Sequence, residues 1–359
     1  VSRFRAPRIA AALTVAVLVA GCAGATTPSP SPSPATSASA APATPEPAPI
    51  EGTLTVYSGR SESLVGPLVE QFEAATGVDV EVKYGDTAEL AATILEEGDA
   101  SPADVYFAQD AGALGAVAAE GRLAALPSSV LDRVDARFRS PDGEWVGVSG
   151  RARVAAFDTR AVADPDLPDS ILDFTDPAWK GKLGWAPTNG SFQAFVTALR
   201  VVDGDAAART WLEGIAANEP KVFEGNDAII AALAAGEIQV GFVNHYYALR
   251  QAAEQGPNFP VANHFFTGGD PGALVNVAGA GVLTTSANPT AALAFLEFLV
   301  GDEAQAYFAT ETYEYPLVAG IEADPRLVPL DEIESPDIDL SDLADLQGTL
   351  DLLTEVGIL

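Results

Sequence analysis

Two tyrosines stand side by side, Tyr246 and Tyr247, directly after the apolar run Ile238-Gln239-Val240-Gly241-Phe242-Val243. A phenolate oxygen is a hard anionic donor, and hard trivalent cations favour hard oxygen ligands over sulfur or neutral nitrogen. The apolar run predicts a buried strand over 238–243, and the residues beyond the tyrosines predict a helix over 248–254. In open α/β sheets, ligands settle in the crevice past the carboxyl ends of the strands. The pair therefore stands where a ligand is expected. Read alone, it also fits a packed or interface aromatic pair.

Other chemistry is thinly represented. The two histidines, His245 and His264, are separated in sequence, and His264 reads as a strand residue rather than a base. There is no Gly-x-Ser-x-Gly elbow, no Gly-rich phosphate loop with Lys and no His-Glu-x-x-His. Cys22 is the only cysteine, which excludes an intramolecular disulfide and cysteine–zinc sites. Fifty acidic residues against 19 Lys and Arg give a formal charge of −31. That balance argues against nucleic acid and anionic membrane surfaces and favours cations. It also leaves no carboxylate dyad that can be singled out. The reading is a binding protein, not an enzyme.

The elements that must position the tyrosines follow from periodicity. Strands are predicted at 53–57, 78–82 and 104–107. Helices with apolar faces are predicted at 64–76, closed by Gly77, at 88–97 and at 111–120. A second series brings strands at 154–157 and 183–186, helices at 192–201, 206–216 and 228–235, and then the tyrosine-bearing strand and helix. An apolar, Gly-rich stretch at 275–283, helices at 289–300 and 304–310, and an acidic helix at 340–352 complete the chain. Alternation at this spacing implies α/β architecture with parallel strands flanked by helices. With no Pro/Ser linker between the series, the expectation is two lobes joined by hinge strands near 149–154 and 274–281. Gly279 and Gly281 fit a point of flexure and equally a point of close packing. The expected boundaries are 51–151 with 277–312 for lobe 1, and 152–276 with 313–359 for lobe 2.

The first residues carry Arg3, Arg5 and Arg8 ahead of an apolar stretch over 9–20, ending in Leu18-Val19-Ala20-Gly21-Cys22. This predicts an export signal over 1–21 with a lipobox and Cys22 as the lipidated residue. Acyl chains would anchor the exported protein to the outer face of the cytoplasmic membrane. Residues 23–49 are almost entirely Ala, Thr, Ser and Pro, so 22–50 reads as a disordered tether reaching about 80 Å when extended.

An exported, lipidated, two-lobed α/β chain without catalytic signatures resembles the solute-binding subunit of an ABC importer. The segments Leu54-Thr55-Val56-Tyr57-Ser58-Gly59-Arg60, Phe72-Glu73-Ala74-Ala75-Thr76-Gly77, Glu96-Glu97-Gly98-Asp99 and Pro102-Ala103-Asp104-Val105 are similar to the ferric-iron-binding members of that class. So are Gly150-Arg151-Ala152-Arg153-Val154, Trp179-Lys180-Gly181-Lys182, Asn244-His245-Tyr246-Tyr247, Asp270-Pro271-Gly272-Ala273-Leu274 and Tyr315-Pro316-Leu317. These segments run in the family's order across nearly the whole globule.

The resemblance implies a two-lobed type II periplasmic-binding-protein fold, each lobe a mixed, mostly parallel sheet flanked by helices, with Fe(III) held in the cleft. It implies Tyr246 and Tyr247 as metal ligands and a synergistic phosphate or carbonate held by Asn189, Gly190, Ser191, Asn226 and Asn244. Asn189-Gly190-Ser191 equally fits an ordinary turn and helix cap. Where relatives place a histidine ligand this chain has Ser61, where they place a glutamate it has Gln109, and where others place a third tyrosine it has Phe157. Asp110 is a further neighbour able to fill the shell, and Arg60, Arg151 and Arg250 could balance the anion or form structural ion pairs. The implied partners are an ABC permease and its ATPase, with the protein acting as a monomer. A phosphate ester, polyamine or thiamine-like cation is the alternative cargo, and a lipid-anchored hydrolase the alternative of another class.

Overall fold

The computed structural model describes residues 52–359; the expected export signal, Cys22 and the tether lie outside the described residues. The first half is built from β–α repeats: β1 (Thr53–Ser58), α1 (Glu62–Thr76), β2 (Asp79–Tyr84), α2 (Thr87–Glu97), β3 (Val105–Ala108) and α3 (Ala111–Ala119). A short α4 (Ser128–Leu131) leads to the long β4 (Val146–Asp158). The second half holds β5 (Leu183–Trp185), α5 (Gly190–Asp203), α6 (Asp205–Ala217), β6 (Lys221–Val222) and α7 (Asn226–Ala234). It continues with β7 (Val240–Asn244), α8 (Tyr246–Gln255) and β8 (Val261–His264). The chain then returns through β9 (Val275–Val282), α9 (Pro289–Leu299) and α10 (Asp302–Thr310), and ends in α11 (Leu346–Glu355). No helix among the described residues is long and apolar enough to cross a membrane.

The strand order is β2-β1-β3-β9-β4-β7-β5-β6, with β8 also beside β4. The outer pairs, β1 with β2 and β3, and β5 with β6 and β7, are parallel. Every pairing through β4 or β9 is antiparallel. The sheet is thus mixed rather than mostly parallel. Only the outer strands belong to strand–helix–strand crossovers, which enforce parallel pairing; β4 and β9 are single traverses free of that constraint.

All 13 residues of β4 are buried. It pairs with β9 from Val146 to Ala152, then with β7 and β8 from Arg153 to Asp158. One strand therefore runs through both halves of the sheet. Gly279 and Gly281 both stand at points of close packing. A Cβ on Gly279 would stand 2.8 Å from the Val146 carbonyl oxygen, and one on Gly281 2.9 Å from Leu123 Cδ1.

Two apolar clusters underlie the halves. One gathers Val56, Phe72, Val105, Leu114 and Phe295. The other is aromatic-rich, with Phe174, Trp185, Phe192, Phe195, Trp211 and Phe242. Within it Phe174 meets Phe242 edge-on at 5.3 Å and Phe195 meets Trp211 at 5.2 Å, geometries the aromatic quadrupole favours.

The tail lies along both halves, not on the second alone. A 3₁₀ turn, Leu340–Ala344, rests on α3, while α11 rests on α5. The predicted helix over 340–352 is broken at Asp345, whose carboxylate accepts the Gly348 N–H and caps α11. Arg200 of α5 clamps this break, donating to Asp345 Oδ2 at 2.8 Å and Thr349 Oγ1 at 3.0 Å.

Candidate functional site

The carboxyl ends of β1, β2 and β3 and the first turns of α1, α2, α5, α7 and α8 meet around a cavity of about 540 Å³. Its wall carries Arg60, Ser61, Glu62, Tyr84, Asp86 and Gln109 from the first half. Asn189, Glu224, Asn226, Asp227 and Tyr247 come from the second. Helix N-termini carry unsatisfied N–H groups and a positive dipole end. The caps of α1, α2 and α7 make no side-chain hydrogen bond, so those N–H groups stay available. Glu62 and Asp227 sit in the first turns of α1 and α7, where a carboxylate complements the dipole. Much of the acidity around the cavity has that local cause.

The tyrosines open α8 directly after β7, so the helix starts two residues earlier than periodicity suggested. Their rings stack with centroids 4.2 Å apart and planes 28° apart. Tyr246 is fully buried and Tyr247 is 6% exposed. Only Tyr247 lines the cavity; Tyr246 lies behind it, its hydroxyl 3.4 Å from Arg60 Nη1. Burial, then the neighbouring Tyr246, pushes the Tyr247 hydroxyl well above the usual phenol range, and Arg60 pulls against this.

Arg60 comes from the turn after β1 and is itself buried. Its Nη2 donates to Glu314 Oε2 at 2.7 Å, both side chains having no exposure. Burial opposes the guanidinium charge, but Glu314 and then the tyrosine pair more than restore it. Glu314 also accepts from Ser149 Oγ and Thr312 Oγ1, each at 3.0 Å. Spacing offered no sign of Glu314: it stands 254 positions from Arg60.

His245 holds the turn between strand and tyrosines. Its Nδ1 accepts the Ala152 N–H at 3.1 Å, and its Nε2 donates to the Tyr313 carbonyl at 2.9 Å. Burial lowers its pKa to about 4, keeping the ring neutral. Tyr313 adopts φ 57°, a left-handed conformation rare for a non-glycine residue. The ring of His245 thus ties β4 to the segment that carries Glu314.

The expected anion residues cluster only partly at the wall. Asn189 caps α5, its Oδ1 accepting from the Ser191 N–H at 3.1 Å and Ser191 Oγ at 2.6 Å. Asn226 Nδ2 donates to the same oxygen at 3.3 Å. Asn189 and Asn226 face the cavity, whereas Gly190, Ser191 and Asn244 lie off its wall. Asn244 is buried with its Nδ2 unpaired among the described residues.

Ser61 and Gln109 line the cavity. Asp110 does not: it caps α3 through the Ala113 N–H, and burial raises its carboxyl above the usual range. Arg151 is buried off the wall, donating to the Val277 carbonyl at 3.3 Å, and Arg250 stands 4.0 Å from Asp227, also off the wall. Phe157 belongs to the aromatic cluster of the second half, away from the cavity. Sequence reasoning did not single out Glu62, Asp86, Glu224 or Asp227. They sit at strand ends and helix starts, which is the one signal that could have found them. Among the described residues no three or more His, Cys, Asp or Glu side chains converge as a metal cage.

The chain matches the family described as bacterial extracellular solute-binding protein over residues 100–339. It is 32% identical over 308 residues to the Fe(3+)-binding periplasmic protein of Serratia marcescens, covering 85% of this chain and 90% of that protein. The iron-bound HitA structure from Pseudomonas aeruginosa aligns with a TM-score of 0.81 at 34% identity, covering 85% of this chain and 99% of that one. The Trichodesmium protein IdiA (FutA), solved with iron and citrate, aligns with a TM-score of 0.71 at 32% identity, covering 86% of this chain and 100% of that one. The fold is that of a type II periplasmic binding protein. With a stacked tyrosine pair at a cavity between strand ends and helix starts, the chain belongs to the bacterial extracellular solute-binding proteins, among relatives named for ferric-iron binding.

Proposed function

We propose that this protein captures Fe(III) with Tyr246 and Tyr247 and delivers it to a membrane permease of an ABC importer. The observation that carries this reading is the stacked phenol pair, one ring on the cavity wall and the other hydroxyl against a buried guanidinium. Two adjacent phenolates are hard donors suited to a trivalent cation. Binding releases the phenolic protons, so affinity falls on acidification.

A small oxyanion, phosphate or carbonate, completes the shell beside Asn189 and Asn226, with Asn244, Gly190 and Ser191 joining on closure. The Trichodesmium relative carries citrate with its iron, which makes a carboxylate anion a further candidate. Ser61 and Gln109 face the cavity and offer neutral oxygens. The halves of the sheet act as lobes that close on the ligand, with β4 as the hinge strand, because ligand contacts to both halves favour the closed state. Cys22 carries the lipid anchor that keeps the exported monomer near its permease and ATPase.

The test is optical. Ferric citrate added to the purified protein gives an orange-red phenolate-to-iron charge-transfer band, and Tyr246→Phe with Tyr247→Phe abolishes it while the circular dichroism spectrum is retained. A colourless wild type refutes the reading. One observation favours a second cargo: Glu62, Asp86, Glu224 and Asp227 line a cavity larger than an ion needs, which suits a polyamine. Calorimetric binding of spermidine without any ferric band would select it.

A further inference from the structure

We infer that Glu314 is a positioning residue for cation capture: acting through Arg60, it sets how strongly the Tyr246 phenolate donates to the bound metal. The inference rests on the ferric reading above and concerns a residue that touches neither cavity nor cation.

The geometry is a short relay. Glu314 Oε2 accepts from Arg60 Nη2 at 2.7 Å, and the other arm of the same guanidinium, Nη1, lies 3.4 Å from the Tyr246 hydroxyl. The guanidinium carbon is 5.8 Å from the Tyr246 ring centroid. Glu314 does not drift, because Ser149 Oγ and Thr312 Oγ1 hold its two oxygens. Its backbone N–H is fixed to the Phe308 carbonyl at 2.9 Å. Arg60 has no exposure and therefore little rotational choice.

The two tyrosines are consequently unequal. Tyr246 has a cationic donor within hydrogen-bond reach of its oxygen, whereas Tyr247 shares the cavity wall with both Arg60 and Asp227 and takes no hydrogen bond from the guanidinium. A partner of a metal ligand tunes that ligand's basicity and orientation. A hydrogen bond from a charged donor is about twice as strong as a neutral one. The charge Arg60 presents to Tyr246 depends on how much of it Glu314 already shares. The carboxylate thus acts as a rheostat on one ligand of the pair. A buried ion pair serving the core alone would make no distinction between the two phenolates.

The experiment records the ferric charge-transfer band of wild type, Glu314→Gln, Arg60→Gln and the double variant. In Glu314→Gln the amide oxygen keeps Arg60 in place but leaves its charge unshared, so Tyr246 is polarised more and the band moves to shorter wavelength. In Arg60→Gln the phenolate is released and the band moves to longer wavelength. Ferric affinity in competition with citrate falls about 10–100-fold, the usual loss for a partner of a metal ligand. The double variant follows Arg60→Gln.

Shifts in the same direction, no shift, or a Glu314→Gln shift that persists without Arg60 would each overturn the inference. Resonance Raman on the wild type serves where a single variant does not fold. Two distinct phenolate C–O stretches are expected, one lost in Tyr247→Phe, and a single shared frequency refutes the proposed inequality. A wild type with no band at all strikes the ferric reading itself, not the relay.

Discussion

The Arg60–Glu314 pair allows a sharp test of what holds the tyrosines in place. Both side chains are wholly removed from solvent. Replacing Glu314 by Leu strands a guanidinium with no counter-charge, and replacing Arg60 by Met strands a carboxylate. Breaking a buried pair from one side costs about 3–5 kcal/mol, because the remaining charge has lost its partner but not its burial. Against a total stability of about 5–15 kcal/mol, that is a large fraction. The double variant Arg60→Met with Glu314→Leu removes both charges, and such replacements are neutral or stabilising by about 1–4 kcal/mol. The double should therefore be more stable than either single. Lys221 with Glu237, a half-exposed pair, supplies the control: Lys221→Gln should change stability by less than about 1 kcal/mol. Urea unfolding of the purified, ligand-free protein, read by the fluorescence of its four tryptophans, gives all the values. Singles within 1 kcal/mol of wild type, or a double as unstable as the singles, would refute the reasoning.

Two further outcomes follow from the same physics. Gly112→Ala places a Cβ 2.3 Å from the Leu343 carbonyl oxygen. The 3₁₀ turn must lift from α3 at a cost of about 1–3 kcal/mol, and limited proteolysis should then cut near 340–345 before the rest of the chain. Asp158 is held below the usual carboxylate range, first by its side-chain hydrogen bond from Arg160. Its folded state then binds fewer protons than the unfolded one, so its stabilisation is complete above about pH 4 and lost as pH falls through the depressed folded value. Asp158→Asn should flatten that part of the acid-unfolding curve; an unchanged acid limb would show the pair to be idle.

The β–α repeats of the first half were legible because apolar residues recur at helical spacing and α1 and α2 each end at a glycine. Gly77 does close α1, with φ 78°. β4 was legible from its apolar run only at its end, 154–157, and otherwise as an expected connecting strand near 149–154. Its first part holds Gly147, Gly150, Arg151 and Arg153, residue types that single-strand reasoning assigns to turns or surface. They are buried here for non-local reasons. Gly150 accommodates Tyr315, whose Cβ stands 3.1 Å from where a Gly150 side chain would begin, and Arg153 is covered by Phe192 and Phe195. β6, two exposed residues, carries no apolar signal at all. The tyrosine pair was legible as chemistry. Its partner Glu314 was not, since a contact spanning 254 positions leaves no local period.

How two successive phenols come to stack is itself a structural question. Successive side chains on a helix diverge by about 100°, so two neighbours at a helix start would ordinarily face different surroundings. Here the rings stack at 4.2 Å, with the Tyr246 hydroxyl at Arg60 and Tyr247 on the cavity wall. His245 sets the turn that allows this, fastened to β4 at one nitrogen and to the tail at the other. The same tail segment then supplies Glu314, so the carbonyl that holds His245 and the carboxylate that pairs with Arg60 sit on neighbouring residues of one strap, Tyr313 to Tyr315. Tyr315 closes it by exchanging both backbone hydrogen bonds with Gly150. β4, the strap and the β7–α8 turn are therefore fastened to one another by backbone and ring hydrogen bonds.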